Sequence, residues 1–192
     1  MKTVLGLGNP GKEYEWTRHN AGRMVARHFA EKLKFSAEGG PASGWKYDKK
    51  SDSLVSKKGQ VVVALPETFM NKSWQAAAKL IRSKKELKEL IVVHDDLDLP
   101  LGRFKISYGK SSGGHKGVES VMRALKTKNF VRIRIGVSPK RKPEQKEVMK
   151  FIVGKFKPAE LEVFKKVIKK VSEALEIILT DSIDHAMSLY NK

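Results

Sequence analysis

Between Lys2 and Tyr190 the chain alternates apolar runs of strand length with stretches of helical periodicity, and that alternation restricts the fold more than any other feature. Residues 2–5 read as a short buried strand ending at Gly6. Residues 45–47, 53–57 and 61–65 read as further strands, the last two joined by the turn Lys58-Gly59-Gln60. Residues 90–93 have the unbroken apolar character of a fully buried strand, 104–108 read as another, and in 131–137 Arg132 and Arg134 alternate with apolar neighbours. The pattern predicts a helix over 21–35, with Ala21, Met24, Val25, His28 and Phe29 on one face and Asn20 as its N-cap. Helices are also predicted over 73–83, 118–126 and 182–190. A long one begins at Pro158, with Leu161, Phe164, Ile168, Val171, Leu175 and Ile178 as the stripe of a core-packed helix. Residues 36–44, 109–117 and 139–146 have loop composition. Strands interleaved with helices build α/β layers over a largely parallel or mixed sheet, whose ligands gather at the carboxyl ends of strands. The informative polar residues fall there: Asn9 after the first strand, Asn71 after another, His94-Asp95 after a third.

Composition narrows the partners. At 192 residues the chain has the size of one domain, and it lacks cysteine, which excludes disulfides and thiolate metal sites. The 39 basic against 21 acidic residues give a net charge of +18, a field that attracts polyanions, nucleic acid first among them. The plainer reading of that charge is a solubilising lysine coat. No apolar run approaches the ~20 residues of a membrane helix and no targeting segment is visible, so cytoplasm is the expected compartment and no membrane partner is expected.

The motifs admit more than one reading each. Gly6-Leu7-Gly8-Asn9-Pro10-Gly11 has the spacing of a dinucleotide fingerprint, but Pro10-Gly11 makes a turn and the helix waits until Ala21, so no N-terminus meets a pyrophosphate. His19 stands just before a helix, as a solvated loop residue or as a base whose imidazolium the helix end disfavours, near the reference pKa of about 6.5. Asp95, Asp96 and Asp98 have three options: holding a hard divalent cation, capping the next turn, or orienting a histidine. The loop 111–117, with His115 and Lys116, is a phosphate cradle or a structural turn.

Together these segments resemble the bacterial-type peptidyl-tRNA hydrolase family. The opening block, residues 6–11 with Tyr14 and Thr17-Arg18-His19-Asn20-Ala21-Gly22, is followed by Pro66-Glu67-Thr68-Phe69-Met70-Asn71-Lys72-Ser73. His94-Asp95-Asp96-Leu97-Asp98-Leu99-Pro100, Gly113-Gly114-His115-Lys116-Gly117 and Phe130-Val131-Arg132-Ile133-Arg134-Ile135-Gly136 complete the family's order and spacing. The resemblance implies a single three-layer α/β domain over 1–192, its twisted, mixed and largely parallel sheet flanked by helices. It implies a monomer with no obligate protein partner, which hydrolyses the ester joining peptide to tRNA without metal or other cofactor. His19 would be the general base, Asp95 the carboxylate that orients it, and Asn9 a substrate-binding residue near the ester. Tyr14, Phe69, Met70 and Asn71 would line the cleft, with amides of Asn9 and Asn71 donating to the oxyanion, and Arg134 would face tRNA phosphate. His115 would belong to the substrate-contacting loop.

Three positions depart from the family pattern: Lys116 replaces an asparagine, Trp74 a glycine, and Ser107 stands where a basic residue grips phosphate, with Lys105 and Lys110 as possible substitutes. A non-catalytic RNA-binding relative is the alternative, distinguished by its failure to turn over ester. A metal-dependent phosphotransfer enzyme using Asp95, Asp96 and Asp98 would be distinguished by its loss of activity on chelation.

Overall fold

Successive strand residues point to opposite faces of a sheet, so a strand apolar at every position needs a core on both sides. The computed structural model, which describes residues 1–34, 44–139 and 143–192, supplies two such cores. Its strands are β1 (Lys2–Gly6), β2 (Lys46–Asp48), β3 (Ser53–Lys58), β4 (Val61–Pro66), β5 (Leu90–Pro100), β6 (Phe104–Tyr108) and β7 (Val131–Ser138). The helices are α1 (Ala21–Lys32), α2 (Trp74–Leu80), α3 (Lys84–Lys88), α4 (Lys116–Leu125), α5 (Val148–Ile152), α6 (Pro158–Thr180) and α7 (Ile183–Tyr190). The sheet order is β2-β3-β4-β1-β5-β7-β6. The inner strands β4, β1, β5 and β7 are parallel, and antiparallel partners close both edges.

Val4, Val63, Leu65, Ile91, Val93, Ile133 and Ile135 pack with Val25 and Phe29 of α1 and Phe164, Val171 and Leu175 of α6. The intervening Leu5, Val62, Ala64, Leu90 and Val92 pack on the other face with Ala76 and Ala77 of α2 and Val118 and Val121 of α4. The result is the expected three-layer, mixed and mostly parallel α/β arrangement.

Several boundaries differ from the sequence reading, for local reasons. The strand over 90–93 runs on through the acidic block to Pro100, so His94 and Asp95 lie within β5 and not after it. Their backbones pair with Arg134 and Ile135 of β7, and their side chains have partners of their own, so polarity does not end the ladder. Asn20 occupies the N-cap position of α1 without capping it. Its amide instead brackets Asn9, accepting from that residue's N–H at 2.8 Å and donating to its carbonyl at 2.9 Å. The described part of the 21–35 prediction ends at Lys32; Phe35, residues 36–43 of the first loop and 140–142 of the last lie outside the described residues. The helix over 73–83 stops at Leu80, and a separate α3 starts behind Ser83, whose hydroxyl accepts from the Glu86 N–H at 3.1 Å. The α4 helix begins at Lys116, two residues early, because the His115 ring caps it by accepting from the Val118 N–H at 3.2 Å.

One glycine sets the distance between the first helix and the middle of the sheet. A Cβ on Gly22 would lie 2.1 Å from the Val93 carbonyl oxygen and 2.9 Å from the His94 Cα. Its absence lets the first turn of α1, and the His19 turn before it, press on β5 where that strand outruns β1. Because the obstacle is backbone, Gly22→Ala is expected to lower stability by about 1–3 kcal/mol, the usual range for overpacking. A thermal melt within a degree of the parent would show that the contact is not limiting.

Candidate active site

Gly6, the last residue of β1, pairs with Val93, and β5 carries His94 and Asp95 just past that point. The chain leaving β1 folds over them through short 3-10 turns at Lys12–Tyr14 and Arg18–Asn20. This brings His19 and Asp95, 76 positions apart, into contact: His19 Nδ1 lies 3.0 Å from each carboxylate oxygen. Both residues are buried. With Nδ1–H donated to the carboxylate, the bare nitrogen of His19 is Nε2.

The same carboxylate holds a second ring. His115 Nε2 donates to Asp95 Oδ1 at 2.8 Å, and its Nδ1 is occupied as the cap of α4, which leaves the proton on Nε2. The His19 and His115 rings lie 5.0 Å apart. Behind them His94, wholly buried, donates Nδ1–H to the Asp95 carbonyl at 2.7 Å and sets its ring edge-on to His115 at 4.8 Å. His94 Nε2 is buried without a hydrogen-bond partner among the described residues.

Burial opposes charge on His19 and would depress its pKa, but the negative charge and hydrogen bond of Asp95 outweigh it and leave the imidazole above its ordinary 6.5; Lys116 pulls the other way. The expected protection of neutral His19 by the helix end is therefore overridden by its carboxylate. For Asp95 burial pushes upward, and the two histidines more than reverse it, holding the carboxyl far below the carboxylate range. His94 falls well below 6.5, chiefly through burial and then through His115 and Arg132.

A cavity of about 280 Å³ opens over this cluster, lined by His19, Asp95, Leu97, the loop 112–116, and Gln145, Val148, Met149 and Ile152 of the α5 region. Arg18, beside His19, ties that wall down. Its Nη1 donates to the carbonyls of Gly154 and Lys155 at 3.2 and 3.0 Å, its Nη2 pairs with Glu160, and its guanidinium lies 4.3 Å from the Phe151 ring centroid.

Of the remaining expected residues Lys116 lines this cavity, whereas Asn9, Tyr14, Phe69, Met70, Asn71, Lys105 and Arg134 lie outside its lining. Asn9 is buried, and its Oδ1 accepts from the Met70 N–H at 2.8 Å, while its Nδ2 has no acceptor among the described residues. Tyr14 and Phe69 form an edge-to-face pair at 6.2 Å that joins the turns after β1 and β4. Met70 packs where a Cβ on Gly117 would lie 2.4 Å from its sulfur. Lys116 lines the cavity; Asn71 does not, and faces a separate cavity with Trp74 and Arg123. Lys105 and Arg134 are cross-strand partners that line another cavity, of about 500 Å³, with Lys110 and Arg132. Arg134 Nε donates to Asp96 at 2.6 Å.

The sequence reading missed four things here. The grip of His115 on Asp95, the buried His94 and the buried Arg132, which donates to the Ser111 carbonyl at 2.7 Å, left no signal in spacing. Arg18 was visible only as the neighbour of His19.

Ligand atoms of His19, Asp95 and His115 lie within 4.8 Å of one another, close enough for a shared ion. Both nitrogens already sit at hydrogen-bond distance from the carboxylate, so an ion would have to displace both bonds. Asp95 is engaged by the two histidines and Asp96 by Arg134, and among the described residues the three carboxylates of Asp95, Asp96 and Asp98 do not form one ligand cluster.

Fold and site define a class: three-layer α/β proteins with a carboxylate–imidazole cluster where the parallel strands end and a basic face beside it. Comparison with known proteins gives the family. The sequence model of the peptidyl-tRNA hydrolase family matches residues 3–192. The chain is 40 % identical to the peptidyl-tRNA hydrolase of Aquifex aeolicus, over all of this chain and 97 % of that protein. It is 39 % identical to that of Persephonella marina, over all of this chain and 98 % of the other. The crystal structure of the Acinetobacter baumannii peptidyl-tRNA hydrolase superposes with a TM-score of 0.87 at 26 % identity, over 98 % of this chain and 93 % of that one. The chain belongs to the peptidyl-tRNA hydrolase family.

The electrostatics can be read by NMR. His19 should titrate with a midpoint above 6.5 and His94 only well below it. In Asp95→Asn the burial of His19 acts unopposed, and its midpoint should drop below 6.5. An unmoved His19 midpoint in that variant would show that the carboxylate does not govern the ring.

Proposed function

We propose that this protein hydrolyses the ester between peptide and tRNA in peptidyl-tRNA by general-base activation of water, with His19 as the base and no metal ion. The contact of His19 Nδ1 with the buried Asp95 carries the reading, because it leaves Nε2 as the acceptor and balances the positive charge that arrives with the proton. A water at Nε2 loses its proton to His19 as its oxygen attacks the ester carbon. The tetrahedral intermediate then collapses by expelling the ribose oxygen, and the proton returns to that oxygen. An ester of a ribose hydroxyl is activated relative to an amide, so one imidazole suffices.

The free Nδ2 of Asn9, braced through Asn20 and Met70, is suited to donate to the carbonyl oxygen as charge develops there. His115 acts as a positioning residue, holding the Asp95 carboxylate through Oδ1 beside His19. Tyr14 and Phe69, paired edge to face, and Met70, bonded to Asn9, are assigned to substrate contact on the side of Asn9, while Lys116 and the basic cavity of Lys105 and Arg134 attract RNA phosphate. The same reading makes the protein a cytoplasmic monomer that needs no obligate protein partner. Among the described residues no helix is long and apolar enough to cross a membrane.

Turnover of an N-acetylated aminoacyl-tRNA tests it. The wild type should release tRNA in the presence of a chelator. His19→Ala should lose roughly 10²–10⁴-fold in kcat while keeping tRNA affinity. The acid limb of the wild-type rate profile should lie above 6.5, since His19 must be neutral to act and its pKa is raised. Wild-type rates in His19→Ala would sink the mechanism, and a wild type that binds tRNA without cleaving ester would leave the RNA-binding alternative.

A further inference from the structure

Beyond the cluster around Asp95, α2 and α4 meet at a surface cavity of about 340 Å³ lined by Asn71, Trp74, Ser120, Arg123 and Ala124. Its frame is built by hydrogen bonds. The Ser120 hydroxyl accepts from the Trp74 N–H at 3.0 Å and donates to the Asn71 carbonyl at 3.0 Å. The start of α2 and the preceding turn are thereby fixed against α4. The side chains on that frame are unengaged: among the described residues the Trp74 indole, the Arg123 guanidinium and the Asn71 amide have no hydrogen bond, ion pair or ring contact with the protein. Trp74 is 46 % exposed, so its ring is not serving the core.

An open indole face, a guanidinium and an amide that can both donate and accept are the groups that hold an unpaired nucleobase: the ring stacks, and the polar pair reads the base edge. A phosphate alone would have no use for the indole, and an apolar protein surface would leave the guanidinium and amide desolvated without partners. The position fits a strand leaving the cluster. Ser120 lies five residues along from His115, about 7.5 Å at 1.5 Å per residue. Asn71 directly follows Met70, whose N–H is bound to Asn9. We propose that this cavity binds an unpaired base of the single-stranded RNA end that carries the ester. The assignment rests on the peptidyl-tRNA reading above and adds a base-binding site built on Trp74 and Arg123.

Two measurements test it. Deacylated tRNA should quench part of the tryptophan emission, and the same tRNA stripped of its unpaired 3′ nucleotides should not; Trp74→Phe should abolish that component while leaving tRNA affinity within about threefold, since a ring remains to stack. On an N-acetylated aminoacyl-tRNA, Trp74→Ala should raise KM by roughly 5- to 100-fold, and Arg123→Ala should raise it less, both with kcat nearly unchanged. Equal quenching by the stripped tRNA, or a Trp74→Ala KM within twofold of wild type, overturns the site, and a protein partner on this face would give that result. Quenching is read without turnover, so a protein that cleaved no ester would still report on the cavity, which separates failure of this site from failure of the hydrolase reading.

Discussion

A carboxylate buried in the middle of a sheet is the constraint on which the rest of this structure depends. Asp95 is 2 % exposed, and an unpaired charge there would cost on the order of several kcal/mol. The fold meets that cost with two imidazoles lying 5.0 Å apart, one from a 3-10 turn before α1 and the other from the loop that caps α4. The carboxylate thus acts as an organiser, because the turn before α1 and the loop before α4 both gain a common end point by reaching it. The third ring, His94, contributes by staying neutral: its donated bond to the Asp95 carbonyl fixes the backbone, and charge on it would compete with the rings in front.

The parts that hold His19 in place are spread over the whole chain and are mostly backbone-directed. Gly22 permits α1 to touch β5, Asn20 clasps the main chain of Asn9, and Arg18 gathers carbonyls at the junction of α5 and α6. Such contacts resist displacement along different directions. Arg18 has a second consequence, since α5 is also a wall of the cavity. The turn that carries His19 and the surface opposite it are joined through this side chain and through backbone bonds from Arg18 N–H to the Gly154 carbonyl and from Phe156 N–H to the Trp16 carbonyl.

Much of this was legible in the amino-acid sequence, and what was not has a common cause. Alternation of apolar runs located every strand, because a two-sided sheet leaves its record at each position. His19, Asp95 and Asn9 were assigned through a pattern of five ordered blocks, not through any property that spacing alone reveals. Contacts made by neighbours in space were invisible: nothing in the Gly113–Gly117 block says that its histidine turns inward to a carboxylate 20 positions earlier. The Ser83-x-x-Glu86 signature of α3 was in plain view, but its capping serine was read as the last residue of the longer helix over 73–83, and no element was assigned to 84–88. Asn20 shows the converse error: a good capping residue in the right place was taken by a tertiary partner.

The net charge of +18 also takes on a sharper meaning once the cluster is in view. A base that works next to a polyanion faces a difficulty, since every phosphate brought near it favours the imidazolium and removes the acceptor. Lys116, on the cavity wall, acts in the opposite sense on His19 and offsets part of the pull of Asp95. A separate group of basic residues, Lys105, Lys110, Arg132 and Arg134, gathers at the β6–β7 edge, and Arg134 is already turned toward Asp96. On the proposed function, phosphate would be drawn to the β6–β7 edge, which adjoins the His19 cavity through Asp96, Ser112 and Gly113, and only the ester would need to approach His19. Attraction of RNA and protection of a neutral imidazole conflict when they share a location, and a chain that does both has to keep them on neighbouring but different surfaces.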